Sequence, residues 1–396
     1  MPGNFMSPDG DLETMFVNDY TMIDQFAATG SLWTWGKNVF GQLGDDSVVF
    51  RSSPVQTISG GTNWKYIKAG YSSTAGIKTD GTLWIWGHNS YGKLGDNTRV
   101  HKSSPIQTIA GGTNWKQVDV TGYYHSTAIK TDGTLWTWGL NTDGQLGDST
   151  MIQKSSPIQT IAGGNNWKQV SGGGSVTAAV KTDGTLWLWG ANLNGQLGDN
   201  TRVSRSSPVQ TISGGTNWKQ VSMGEFHNTA IKTDGTLWTW GFNNSGQLGN
   251  NTLTGTSSPI QTIAGGTNWK QVSAGGSSTA AIKADGTLWS WGLNGYGQLG
   301  DNTRVPKSSP VQTISGGTNW KQVAAAGADT AAIKTDGTLW TWGDNTVGQL
   351  GNNTRVHKSS PIQTIAGGTN WKLVTCGYGG IAASYFYDAG NLYPSA

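Results

Sequence analysis

The sequence predicts an all-β chain folded as a seven-bladed β-propeller, and three observations carry that prediction. The string Gly-Thr-Leu-Trp-x-Trp-Gly begins at Gly81, Gly133, Gly184, Gly235, Gly286 and Gly337, with a first variant at Gly30, so the chain repeats every 51 or 52 residues. Each unit contains four short strand-like patterns and no apolar stripe of helical period. All 21 tryptophans fall three to a unit, which makes them framework before anything else. Four strands in about fifty residues, repeated in tandem, is the signature of propeller blades.

The elements follow in order within a unit. Asn-Trp-Lys-Gln-Val is the first strand, and a glycine-rich stretch leads to the second, Thr-Ala-Ala-Ile-Lys. The Asp-Gly pair that follows, Asp132-Gly133 for example, predicts a hairpin turn in which both residues tolerate positive φ. In Leu-Trp-x-Trp the two tryptophans stand two apart and share one face of the third strand. A loop of the form Asn-x-x-Gly-Gln-Leu-Gly precedes Ser-Ser-Pro-(Val/Ile)-Gln-Thr-Ile, where the proline fits an edge strand because no ladder donor is lost there. One unit alone cannot cover its tryptophan face, whereas radial stacking covers each by its neighbour.

Ring closure is expected to join the two ends, residues 371–388 pairing near residues 21–36. Thr21 to Phe26 and Ile381 to Phe386 both resemble the same repeat strand, so one of them is surplus. The organisation predicted is a non-repeat docking lead at residues 1–20 and a propeller over 21–396.

Composition narrows the function classes. Sixty glycines in 396 residues are about twice ordinary usage, charged residues are 12%, and 26 basic against 23 acidic side chains give a net charge of +3. No basic or acidic run points to nucleic acid or an anionic membrane, and the framework lysines at Lys78, Lys116 and their equivalents are expected to be dispersed around the ring. One cysteine, Cys376, excludes an internal disulfide framework and a cysteine-based zinc site. No stretch approaches the roughly 20 apolar residues of a membrane helix, and the acidic start, with Asp9, Asp11 and Glu13, does not read as a secretory signal. The histidines have no metal-ligand spacing, and Ser171-Gly172-Gly173-Gly174 lacks the lysine and helix of a phosphate loop. The aspartates of Gly-Gln-Leu-Gly-Asp (Asp45, Asp96, Asp148, Asp199, Asp301) give way to Asn250 and Asn352 in two units, so they are expected to shape turns instead of binding calcium. The chain is expected to be no enzyme and to hold no metal or cofactor.

Lys-Thr-Asp-Gly-Thr-Leu-Trp-Thr-Trp-Gly followed by Asn-x-x-Gly-Gln-Leu-Gly resembles the repeat of the regulator of chromosome condensation (RCC1-like) propellers, over residues 22 to 388. The resemblance is specific for fold. For function it implies a range: guanine-nucleotide exchange factors, chromatin binders, and bacterial or phage proteins that use the propeller as an interaction surface. The near-identity of the units is closest to the bacterial and phage arrays.

Comparing the seven units with one another separates two faces. The Thr-Asp-Gly turns and the Gly-Gly-Thr-Asn-Trp approaches are nearly constant. The connections on the opposite face carry almost all the variation and are enriched in aromatic and histidine residues. Such loops on a rigid scaffold are where binding residues concentrate. The candidates for partner contact are Tyr71, His88, Tyr91, Tyr123, Tyr124, His125, Phe226, His227, Phe242 and Tyr296. The function expected first is a virion or surface interaction module (tail, fibre or capsid-associated) with a protein partner and a place in the virion or at the cell exterior, cytoplasmic if that fails. A sugar-binding propeller that recognises cell-surface glycans is the alternative, and a GTPase exchange factor by family analogy comes third. No nucleic-acid partner and no membrane insertion are expected, and the propeller itself is expected to be monomeric.

Overall fold

The computed structural model describes residues 30–385. Within them, 28 strands form seven four-stranded antiparallel sheets set around one axis. Blade 2 is representative. It runs outward from β3 (Trp64–Ala69) through β4 (Ser73–Lys78) and β5 (Leu83–Gly87) to β6 (Lys102–Gln107), and Pro105 lies on this outermost strand. Blades 3 to 7 repeat the order along the chain. Blade 1 is composite: β27 (Trp371–Gly377) and β28 (Gly380–Tyr385) supply its inner half, β1 (Ser31–Gly36) and β2 (Arg51–Gln56) its outer half. Trp33 pairs with Ala383 and Trp35 with Ile381, so the segment from Ile381 is the one that closes the ring. Residues 1–29 and 386–396, which include the lead at 1–20 and Thr21 to Phe26, lie outside the described residues.

The hairpin turns differ in detail from the expectation. Gly81 has φ +79° and donates its N–H to the Lys78 carbonyl at 2.9 Å, while Asp80 is not among the positive-φ residues. The loop is therefore a type I turn closed by a left-handed glycine. Asp80 serves it with its side chain, accepting from the Thr82 N–H (2.9 Å) and hydroxyl (2.7 Å). The Gly-Asp pairs of the long loops also use the side chain. Asp96 accepts from the Thr98 N–H at 3.0 Å and Asn250 from the Thr252 N–H at 3.2 Å, and the next residue, Asn97 or Asn251, takes φ +60°. These are Asx turns, in which asparagine and aspartate are interchangeable.

Blades are tied to one another at three radii. Outermost, the left-handed residue of each long loop donates its N–H to a serine carbonyl of the next blade, as Asn97 does to Ser155 at 3.0 Å. At middle radius, the second tryptophan of each blade is fully buried and donates its indole N–H to the long loop of the preceding blade. Trp86 reaches the Gln42 carbonyl (3.0 Å), Trp291 that of Gln247 (2.9 Å), and Trp35 closes the circle on Gln349 (2.9 Å). Innermost, glutamine side chains bridge neighbouring inner strands. Gln169 donates to the Val221 carbonyl at 2.9 Å and accepts from the Val221 N–H at 3.0 Å, and Gln117, Gln271 and Gln322 do the same. Tyr66 and Leu373 replace the glutamine in blades 2 and 1, and there Lys68 meets Asp119 (3.4 Å) and the Ala69 N–H meets the Thr375 hydroxyl (3.3 Å).

The third tryptophan set stacks with lysine: the Lys130 ammonium lies 4.8 Å from the Trp115 ring centroid and 4.4 Å from that of Trp136. The lysines after the inner tryptophans sit at the start of the inner strands, and some of them lie close to the axis or to one another. Lys219 lines the axial cavity, and Lys270 and Lys372 are near enough to Lys321 for their charges to depress its pKa after the larger effect of burial.

Replacing Trp291 by Phe keeps most of the apolar area and removes the N–H to Gln247. It is expected to cost ~1–2 kcal/mol and to lower the melting temperature by a few degrees; an unchanged melt would mean that the indole bond adds nothing to the ring.

Candidate functional site

In every blade the connections after the first and the third strand emerge on one face, and this is the variable face. Its aromatic residues come together as a single arc. At the rim, Phe40 of blade 1 meets His88 (ring centroids 4.6 Å) and His101 (5.0 Å), which stack on each other at 4.8 Å. His88 and Tyr91 contact Tyr124 at 5.5 and 4.7 Å. Tyr124 is 6.2 Å from Tyr123, which meets Tyr71 at 4.8 Å, and Tyr71 meets Tyr378 of blade 1 at 4.8 Å. From Tyr123 the arc crosses blade 4 to Phe226 (6.5 Å) and ends at Phe242 (6.2 Å further). These spacings suit edge-on and offset ring pairs. Phe226 is 37% and Tyr378 43% exposed; the other tyrosines and Phe242 are half-buried.

The sequence of blade 4 explains the crossing. Its loop is Gly173-Gly174-Ser175, and the Tyr123 N–H donates to the Gly174 carbonyl at 3.0 Å. A Cβ on Gly174 would stand 3.3 Å from the Tyr123 ring, and one on Gly173 2.7 Å from the Gly224 carbonyl. Glycine thus lets the inner strands converge and lets the tyrosine lie across them. A shallow hollow of about 50 Å³ remains over the axis, floored by glycines and walled by Tyr71, Tyr123, Tyr378 and Glu225. Burial raises the pKa of all three phenols, and in Tyr123 the adjacent Glu225 carboxylate, which accepts its hydrogen bond, raises it further. The phenols are therefore neutral donors beside one carboxylate.

Seven of the ten candidates belong to the arc: Tyr71, His88, Tyr91, Tyr123, Tyr124, Phe226 and Phe242. Tyr296 stands apart, 42% exposed and 5.1 Å from His357. His125 and His227 are not surface residues. They open the second strands of their blades at 1% and 0% exposure, and each imidazole Nε2 lies 3.0 Å from a threonine hydroxyl of the next blade, Thr177 or Thr279. Burial depresses both pKa values to about 3, with the nearby Lys93 charge a second cause at His125. His88 falls to about 4, from burial first and then from Lys93 and His101.

Comparison of loop residues alone passed over Phe40, His101 and Tyr378, which complete the arc, and Lys93, which lies beneath it. Lys93 interrupts Gly-Gln-Leu-Gly as Gly-Lys-Leu-Gly, a visible departure from the repeat. It is fully buried, and its ammonium donates to the carbonyls of Gly122 (2.9 Å), Val120 and Tyr123 (both 3.3 Å), so it props the loop that carries Tyr123 and Tyr124. Burial lowers its pKa to about 7. At the position of His125 and His227, blade 7 has Asp329, which is buried with the Cys376 thiol beside it as its side-chain donor; burial, then the charge of Asp344, pushes its pKa well up. Among the described residues no three His, Cys, Asp or Glu side chains are grouped as a metal would require.

Two pH effects follow. His125 and His227 bind protons more readily unfolded than folded, so stability falls as the pH drops below about 6.5, by up to ~1.4 kcal/mol per pH unit for each. Replacing both by valine, the residue at the equivalent Val176, is expected to flatten the melting temperature between pH 7 and 5; an unchanged slope would refute the assignment. Asp329 has the opposite sign, its contribution being lost as the pH rises through its raised pKa. Asp329→Ser, matching Ser278, is expected to stabilise by on the order of 1–3 kcal/mol at pH 8 and by less at pH 4, read from denaturant melts at the two pH values.

The profile of the RCC1-like domain matches residues 19–262 and 116–393. The ultraviolet-B receptor UVR8 of Arabidopsis thaliana is 31% identical over 83% of this chain and 76% of its own length. The mitochondrial RCC1 domain-containing protein RUG3 of the same plant is 28% identical, covering 83% and 81%. Among solved structures, Prp20p of Saccharomyces cerevisiae, studied for its binding to Gsp1p and histones, superposes with a TM-score of 0.80 at 19% identity over 92% of this chain and 93% of that one, a likeness of fold. These relatives are eukaryotic cellular proteins, one of them mitochondrial. They overturn the expectation of a virion component and of a place in a virion or at the cell exterior, and they lend nothing to the phage-type qualifier or to glycan binding. With seven four-stranded blades closed by both chain ends, and a profile match reaching from residue 19 to residue 393, the chain belongs to the RCC1-like domain family.

Proposed function

We propose that this chain is a non-catalytic interaction propeller that docks a folded protein partner on its variable face. The observation that carries this is the continuous aromatic arc from Phe40 to Phe242, with Tyr71, Tyr123 and Tyr378 around Glu225 at its centre. Contact energy in protein interfaces concentrates in tyrosine and other aromatic residues that are rigid and part-buried beforehand. The arc offers such anchors with little side-chain freedom left to lose. Its neutral phenols add directional donors, and Glu225 favours a partner with a basic residue opposite the axis.

A second reading makes the partner a small GTPase whose nucleotide exchange the propeller promotes. It is supported by the family's exchange factors and by Prp20p, which is described with binding to Gsp1p. Under either reading the partner meets the arc, and Tyr296 is a rim contact at most.

A triple variant, Tyr71→Ala, Tyr123→Ala and Phe226→Ala, is expected to weaken the partner's affinity at least tenfold while leaving the melting temperature within a few degrees. The measurement is quantitative pull-down from the source cells with both proteins, followed by titration of the recovered partner. Equal retention by the variant would refute the docking face. If the recovered partner is a GTPase, release of a fluorescent GDP analogue in the presence of the propeller decides the exchange reading.

A further inference from the structure

The hollow at the centre of the docking face has the make-up of a cation site in its own right. Three blades contribute one tyrosine each: Tyr378 from blade 1, Tyr71 from blade 2 and Tyr123 from blade 3. Tyr71 stands 4.8 Å from each of the other two, at 68° to Tyr123 and 35° to Tyr378, so the rings form a bent wall along one side. Blade 5 supplies Glu225, the one charged side chain among the lining residues, while blades 4, 6 and 7 supply glycine and alanine. Aromatic faces attract a cation seated within about 6 Å of the ring centroid. Burial raises the pKa of the three phenols first, and the Glu225 carboxylate is near enough to raise all three further. The walls are therefore neutral rings around one full negative charge. Lys93 spends its donors on the carbonyls of Val120, Gly122 and Tyr123, and Lys37 belongs to a separate small pocket that shares Tyr71 and Tyr378; neither lines the hollow.

The same walls suit a cation that carries no N–H groups. Glu225 already accepts the Tyr123 hydroxyl. The carbonyls of Gly70, Gly172 and Gly174 receive the Tyr378 N–H (3.3 Å), the Thr121 hydroxyl and the Tyr123 N–H (3.0 Å). A primary ammonium brings three donors to a place where these acceptors are taken, and a donor desolvated without a partner weakens binding. A trimethylammonium group brings none. Its charge is spread over methyl groups that pack on rings and on glycine. At roughly 10–15 Å³ for each water, the hollow of about 50 Å³ takes about four water-sized groups, as many as the non-hydrogen atoms of a trimethylammonium.

We propose that the axial hollow of the variable face binds a trimethylammonium group, carried there on a methylated lysine of the docked partner; the lysine as its source rests on the docking reading. The probes are a short blocked peptide with one lysine, trimethylated or unmodified, and choline with its uncharged carbon isostere, dimethylbutanol. Calorimetric titration of the full chain is expected to give a submillimolar dissociation constant for the trimethylated peptide, at least tenfold tighter than for the unmodified one. Choline is expected to bind more weakly than the trimethylated peptide and more tightly than the isostere. Tyr378→Phe keeps the ring and is expected to hold the peptide affinity within about twofold, whereas Tyr378→Leu and Glu225→Gln each weaken it at least fivefold. The isostere comparison uses the parent chain alone and stands whatever the variants do to the fold. The proposal is overturned by equal binding of the two peptides, by an isostere that matches choline, by full affinity in Tyr378→Leu, or by no measurable binding of either trimethylammonium probe. Choline that matches the trimethylated peptide overturns the lysine as source and makes a free quaternary amine the ligand. Failure of the docking reading is read separately: partner retention by the triple arc variant sinks docking even where the trimethylated peptide binds, and failure of the peptide while that variant loses its partner sinks the cation site alone.

Discussion

Everything in this molecule depends on an indole N–H reaching a carbonyl in the blade before it. A four-stranded blade has one apolar face too many, and the second tryptophan of each unit covers it by entering the neighbouring loop. The hydrogen bond makes the contact directional: only a loop that turns the backbone carbonyl of its Gln position inward, with glycine where Gly44 lies against Trp86, can receive the ring. Because the acceptor belongs to the preceding unit and the donor to the next, the bond cannot be satisfied within one blade. Burial of the indole supplies the larger free energy, and the hydrogen bond sets the angle at which the blades meet.

With so rigid a frame, the loops of one face can change without endangering the fold, and they have changed unevenly. Blade 2 departs most. Tyr66 interrupts the glutamine belt, Lys93 replaces the latch glutamine while its backbone carbonyl still receives Trp138 at 2.7 Å, and His88, Tyr91 and His101 fill the loop above. The two kinds of departure are coupled in space. The buried ammonium of Lys93 holds the loop of blade 3 by its carbonyls, and that loop carries the two tyrosines at the middle of the arc.

The fold was legible because its determinants repeat: a tryptophan every 51 residues, an Asp-Gly turn and a proline on the edge strand need only be counted. The closing strand was half legible, since Thr21 to Phe26 and Ile381 to Phe386 carry equivalent patterns and only pairing with β1 distinguishes them. The site was legible as a face and not as a set of residues. His125 and His227 sit one position beyond the loop, where the strand turns the side chain between blades, and one residue of offset separates surface from core there. Tyr378 and Phe40 join the arc through blade 1, whose halves lie more than three hundred residues apart in the chain. That Lys270, Lys321 and Lys372 lie close enough for their charges to interact is a property of the radius at which a strand lies, which a linear repeat does not encode.

Blade 4 shows how a tandem array can make one surface from several units by leaving one of them blank. Its loop offers two glycines where its neighbours offer tyrosine, glutamate and phenylalanine, and the vacancy is what allows the rings of blades 3 and 5 to meet. A side chain at Gly174 would part the arc into two islands, each too small to anchor much of a partner. The shape of such a surface is thus written partly in omissions, and a gap of a few atoms in one repeat sets how far recognition extends around the disc.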